Sequence, residues 1–136
     1  MATQHIFTIN DVYRKSLEGT WTAQGWSAGW FGGGAGVVSV VDRVIFASDS
    51  STAVAKGPLS VARSQLAAHG NTTDAWFGGG SPGPISTVDR IIFSSDSSTA
   101  VAKGPLSVAR YGLGASGNMT DAWFGGGFPS QSLVDR

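Results

Sequence analysis

Apolar residues in this chain alternate with polar ones or come in short bursts of four to six positions. Val44-Ile45-Phe46, Thr52-Ala53-Val54-Ala55, the Val61 to Ala68 region and Ala75-Trp76-Phe77 form one such series. Ser48-Asp49-Ser50-Ser51, Lys56-Gly57-Pro58, Gly70-Asn71 and Gly78-Gly79-Gly80 separate them. Each separator has turn chemistry: glycine allows positive φ, proline fixes φ, and Asn or Asp bonds its own backbone. No segment carries an apolar stripe of helical period over three turns, and Gly-Pro interrupts the unit, which excludes a solenoid of helix pairs. The pattern predicts four short strands joined by hairpin-type turns.

The series is then repeated. Val41 to Gly80 and Val88 to Gly127 match with an offset of 47 residues, and Ser48 to Arg63 recurs unchanged as Ser95 to Arg110. A period of this length marks a repeat architecture in which one unit cannot bury its apolar face alone. Trp30-Phe31-Gly32-Gly33-Gly34 places a third, worn copy in residues 1–40. There Ile6-Phe7-Thr8-Ile9 aligns with the second strand and Thr20-Trp21-Thr22-Ala23 with the third, and Asp11 is expected to cap a short helical turn through Val12 to Leu17. Leu133-Val134-Asp135-Arg136 restarts a first strand. The division expected is a permuted partial unit at 1–40, full units at 41–87 and 88–133, and the start of a closing strand at 134–136.

Composition sharpens this picture. Twenty glycines and only 13% charged residues in 136 suit many short strands and tight turns better than helices. The formal net charge is zero, with no basic stripe, so binding nucleic acid by neutralising phosphates is not expected. There is no cysteine, hence no disulfide and no thiolate metal site. No apolar stretch approaches a bilayer-spanning length, and the N-terminus lacks the basic-then-apolar layout of a secretory signal. A soluble chain with no membrane insertion is expected.

The aromatic-Phe-Gly-Gly-Gly strand end, the Val-Asp-Arg that follows, the Gly-Pro-Leu turn and the later Ala-Arg resemble the kelch repeat. The family's usual tryptophan after the third strand is absent here. The resemblance implies an all-β fold of four-stranded antiparallel propeller blades, about three per chain. The Trp-Phe-Gly-Gly-Gly and Val-Asp-Arg pattern is also similar to repeats in bacteriophage structural and tail-fibre proteins, as is the opening Thr8 to Lys15 and Glu18 to Trp21. That second likeness implies a virion protein with a structural or receptor-binding role. The near-identity of the copies equally fits recent duplication or a trimmed, engineered fragment.

A propeller closes with about four to eight blades, so three per chain imply closure by self-association. Two chains joined head to tail would give six blades, the favoured arrangement, and three would give nine. Ile6, Phe7 and Ile9 at one end and Leu133, Val134, Asp135 and Arg136 at the other are the candidate closure residues. Such contacts are heterologous and close into a ring.

The sequence offers little for catalysis. Asp42, Asp89 and Asp135, each followed by Arg, read as a structural hydrogen-bonding device, and Arg63 and Arg110 as forks that satisfy strand carbonyls. Asp49 and Asp96 read as side-chain turns. The triple glycines lack the Lys-Ser or Lys-Thr of a phosphate loop. His5 and His69 have no metal-ligand spacing. The Asn71-Thr72-Thr73 and Asn118-Met119-Thr120 sequons read as turns. No enzyme, metal or cofactor is expected. Three linkers, Ala35 to Val40, Ser81 to Thr87 and Phe128 to Leu133, vary on an otherwise uniform scaffold, which is where binding surfaces sit, so Ser81, Pro82, Phe128 and Pro129 are candidate ligand-contacting residues. Trp21, Trp26 and Trp30, three tryptophans within ten residues, join them. Expected partners are copies of the chain, other virion proteins and host-surface glycans.

Overall fold

A computed structural model describes residues 27–48, 50, 52–129 and 132–136. Ile6, Phe7, Ile9, Trp21, Trp26 and the helical turn expected at Val12 to Leu17 lie outside the described residues. The described chain is all-β. Its strands are β1 (Ala28–Gly32), β2 (Val41–Ile45), β3 (Val54–Ala55), β4 (Ala67–Gly70), β5 (Asp74–Gly78), β6 (Val88–Ile92), β7 (Val101–Lys103), β8 (Gly114–Gly117), β9 (Ala122–Gly125) and β10 (Val134–Asp135).

They form three antiparallel sheets. Sheet I has the order β1-β2-β3, sheet II β4-β5-β6-β7, and sheet III β10-β9-β8. Every sheet crosses from one sequence copy into the next. The Trp-Phe-Gly strand that ends a copy pairs with the Val-Asp-Arg strand that begins its successor, so Phe31 lies opposite Asp42, Phe77 opposite Asp89, and Phe124 opposite Asp135. Val134 and Asp135 therefore pair with β9 of their own chain.

The strand bounds differ from the sequence reading in two instructive places. Phe46 leaves the strand to begin a single 3-10 turn, Phe46–Ser48, and Phe93–Ser95 repeats it. The Val61 to Ala68 burst is a strand only from Ala67. Before that point Gln65 sits at φ +52, which ends extended pairing. The Arg63 backbone is spent on a different neighbour, since its N–H donates to Val38 O at 3.1 Å and its carbonyl accepts from Gly34 N–H at 3.2 Å.

Alternation places opposite side chains of sheet II in two separate cores. Ala75, Phe77 and Ile91 pack with Val41, Leu59 and Ala100 against sheet I. Val88 and Ala67 pack with Leu106, Leu113 and Phe124 against sheet III. Each core is closed by the Leu of a Gly-Pro-Leu turn, which explains why that turn is copied without change. Leu59 N–H donates to Ser39 O and Leu106 N–H to Ser86 O, both at 2.8 Å. Full burial of one such side chain stabilises by about 1.5–3 kcal/mol.

Candidate functional site

The recurring acid–base residues form locks between repeats. Asp89 in β6 accepts from Ser60 N–H at 3.0 Å and Ser60 Oγ at 2.6 Å, and pairs with Arg63 at 3.0 Å. Arg63 also donates to Phe77 O at 2.9 Å, tying the lock to the strand opposite Asp89. One copy later, Asp135 accepts from Ser107 N–H at 3.2 Å and pairs with Arg110 at 2.5 Å. Arg110 donates to Phe124 O at 3.0 Å. Burial pulls the Arg63 guanidinium below its ordinary pKa, and the facing Asp89 opposes that shift.

The neighbours Asp89 and Arg90 do not pair with each other, because adjacent strand residues point to opposite faces. Arg90 reaches Asp74 at 2.8 Å instead, and Arg136 reaches Asp121 at 3.5 Å. Asp96 also departs from expectation. Its carboxylate leaves the turn and takes Arg43 at 2.8 Å and Lys56 at 3.3 Å, joining sheets I and II. Asn71 and Asn118 do form the expected turns. Each Oδ1 accepts from the backbone N–H two and three residues on, and from the hydroxyl of the threonine two residues on, Thr73 or Thr120. These groups tie strands and turns together, through backbone atoms at Ser60, Phe77, Ser107 and Phe124 and through side-chain ion pairs at Asp74, Asp96 and Asp121. Among the described residues no cluster of three His, Cys, Asp or Glu could hold a metal ion. No described helix is long and apolar enough to cross a membrane.

The linkers differ from the locks. Arg63 N–H donates to Val38 in the first linker, while Ser64 exchanges two backbone bonds with Ser81 in the second, at 2.9 and 3.0 Å. Arg110 N–H donates to Ile85, still in the second linker, while Tyr111 exchanges two bonds with Phe128 in the third, at 2.8 and 3.2 Å. Arg63-Ser64 and Arg110-Tyr111 thus lace three variable linkers side by side into one ribbon. The ribbon is apolar and exposed at Val37, Val38, Val40, Phe128 and Leu133. Pro82 and Pro129 are exposed on it, Ser81 is half-buried, and the Phe128 ring lies 5.2 Å from that of Tyr111.

Trp30 is not on this ribbon. It stacks on Phe93 with centroids 4.6 Å apart and planes 3° from parallel, and Arg43 sits 5.7 Å from its ring centroid. Trp76 walls a cleft of about 340 Å³ between sheets II and III, which Lys103, Asp121 and Arg136 rim with charge.

The candidate linker residues Ser81, Pro82, Phe128 and Pro129 therefore share one face, from which Trp30 is separate. Sequence reasoning missed Ser60 and Ser107, which cap the buried Asp89 and the half-buried Asp135, and the Asp96 bridge. The signal for both was the unchanged block Ser48 to Arg63, which contains Ser60 and, in its second copy, Asp96. No protein-family model matches the chain, and no curated protein matches it.

Proposed function

We propose that the chain is a non-enzymatic structural and receptor-binding module of a virus particle, built from kelch-like propeller blades and assembled with copies of itself. The observation that carries this reading is the laced ribbon. The copies hold their locks and cores constant, yet differ at linker residues brought onto one exposed apolar face. A constant scaffold with a variable face is how binding loops are displayed. The titratable groups at the repeat junctions are engaged in ion pairs and backbone bonds, which favours architecture over turnover.

Self-assembly adds to this role, since linked weak sites raise the effective concentration of their neighbours. Exchanging Ser81 to Thr87 for the sequence of Phe128 to Leu133, then replacing all three linkers, should change adhesion to host cells. Unchanged adhesion after the full replacement refutes the ribbon as the binding face.

The cleft beside Trp76 favours a second reading, in which the module grips a carbohydrate. An aromatic wall with a charged polar rim suits a sugar's apolar face and hydroxyls. A glycan array with Trp76→Ala as control separates the two readings. Signal lost in the variant assigns binding to the cleft.

A further inference from the structure

We infer that two copies of this chain join head to tail, with Phe31 of one seated over Gly125 of the other. The inference rests on the self-assembly reading above and names the surfaces that perform it.

The chain shows the same contact twice within itself. Phe77 of sheet II covers Gly32 of sheet I, where an added Cβ would stand 2.7 Å from the ring. Phe124 of sheet III covers Gly78 of sheet II at the same 2.7 Å. Glycine is needed at both places because the aromatic ring occupies the volume of its missing side chain. Beside each contact a valine opens the next strand, and there it is buried: Val41 faces sheet II and Val88 faces sheet III. A second aromatic contact accompanies the first, with Phe93 of sheet II stacked on Trp30 of sheet I.

The two outer faces carry the unmatched halves of this contact. On sheet I, Phe31 occupies the position of Phe77 and is 63% exposed, against 1% for Phe77 and 4% for Phe124. Phe46, at the position of Phe93, is exposed beside it. On sheet III, Gly125 occupies the position of Gly32 and Gly78, and a Cβ there would meet only Val134 Cγ2 at 3.4 Å and Leu133 O at 3.9 Å. Val134, at the position of Val88, is 64% exposed. A shallow cleft of about 320 Å³ lies over this face, walled by Trp123 and floored by Gly114, Ser116 and Gly125.

Plug and socket are thus both present on one chain, in the residue types that fit each other at the two internal junctions. The occupant is a second copy because, among the described residues, only the outer face of sheet I repeats the Phe31 and Phe46 pair that the socket's glycine and Trp123 require. The contact is heterologous: one copy offers Phe31, the other Gly125.

The experiment compares native mass and sedimentation of the full chain with Phe31→Glu, Gly125→Leu and their mixture. Both positions are at the surface and Gly125 is not in the left-handed region, so circular dichroism should show each variant folded. Each substitution alone should raise the concentration for half-assembly by roughly tenfold or more, as expected from losing one buried aromatic. Mixing the two should restore a species that stops at one copy of each, because one partner keeps its socket and the other its plug. Assembly unaffected by either variant, or absence of the one-to-one species, overturns the head-to-tail contact while leaving self-assembly standing. A parent chain that stays monomeric at about 100 µM overturns the self-assembly reading itself.

Discussion

Sheets II and III are built from nearly the same residues, and they differ in what surrounds them. The Asp89–Arg63 lock has both side chains at zero exposure, whereas Asp135 in the equivalent lock is 19% exposed beside a fully buried Arg110. The same residue types meet at both junctions, but Asp89 also accepts from Ser60 Oγ, a bond Asp135 does not receive from Ser107, and the surroundings differ. The strength of an ion pair in a protein is set by desolvation as much as by distance, so the same residue types should carry different free energy at the two junctions. This is the nearest-neighbour behaviour of repeat proteins, in which a unit's stability depends on the face its neighbour covers.

The sharpest way to break the comparison is to remove the arginines one at a time. Arg63→Ala strands a buried carboxylate and should cost about 3–5 kcal/mol. Arg110→Ala leaves Asp135 a path to water and should cost nearer 1–3 kcal/mol, the range for losing a hydrogen bond to a charged group. Urea midpoints at pH 7 measure both. Equal losses would mean that the two junctions are energetically equivalent despite their exposure.

Phenylalanine tests the same contrast without charge. Phe77→Ala opens a cavity between sheets I and II and should cost about 3–5 kcal/mol. Phe31→Ala, read at a dilution where copies are separate, should change stability by no more than about 0.5 kcal/mol, as for other surface substitutions. A large loss at Phe31 would place a covering segment of the same chain over it.

Next come the glycines beneath those rings. Gly78→Ala forces a methyl into the Phe124 ring and should cost about 1–3 kcal/mol by overpacking. Gly125→Ala meets no such ring, and by restricting the unfolded chain it should be neutral or stabilising by up to about 1 kcal/mol. Melting temperatures of the two variants give the sign directly.

These contrasts also explain what the sequence could and could not disclose. The repeat, the all-β class and the approximate strand sites were legible because period-2 bursts and turn residues are local signals. The pairing of each Trp-Phe-Gly strand with the next copy's Val-Asp-Arg strand was hidden, because a repeat can be cut anywhere without changing its period. The partner of Asp89 was hidden for a related reason: Arg90 is adjacent in sequence but faces the other way, and Arg63 is near only after folding. The linker face was half legible. Variation pointed to Ser81, Pro82, Phe128 and Pro129, but only the Arg63-Ser64 and Arg110-Tyr111 backbone bonds show that the linkers lie side by side.

The smallest expected effect concerns Asp74 and is separated from the others by its pH dependence. Burial alone would raise its pKa, yet hydrogen bonds from Arg90 and Thr73 outweigh that and hold the carboxyl below its ordinary value of 3.8. The folded state therefore binds this proton less readily than the unfolded chain does. Stability from the Asp74 interactions is complete at neutral pH, begins to fall as pH drops through the ordinary carboxylate value, and is lost once pH passes the folded pKa. Asp74→Asn keeps the shape and removes the charge, so it should lower stability at pH 7 and flatten the decline between about pH 5 and pH 2. Its counterpart pair, Asp121 with Arg136, is longer at 3.5 Å and more exposed. Asp121→Asn should then change stability at pH 7 by less than about 1 kcal/mol, as is usual for an ion pair in water. Chemical denaturation at a series of pH values follows both variants. An unchanged acid decline in Asp74→Asn would show that the Arg90 bond does not persist in solution, and that sheet II differs from sheet III in burial but not in this pair.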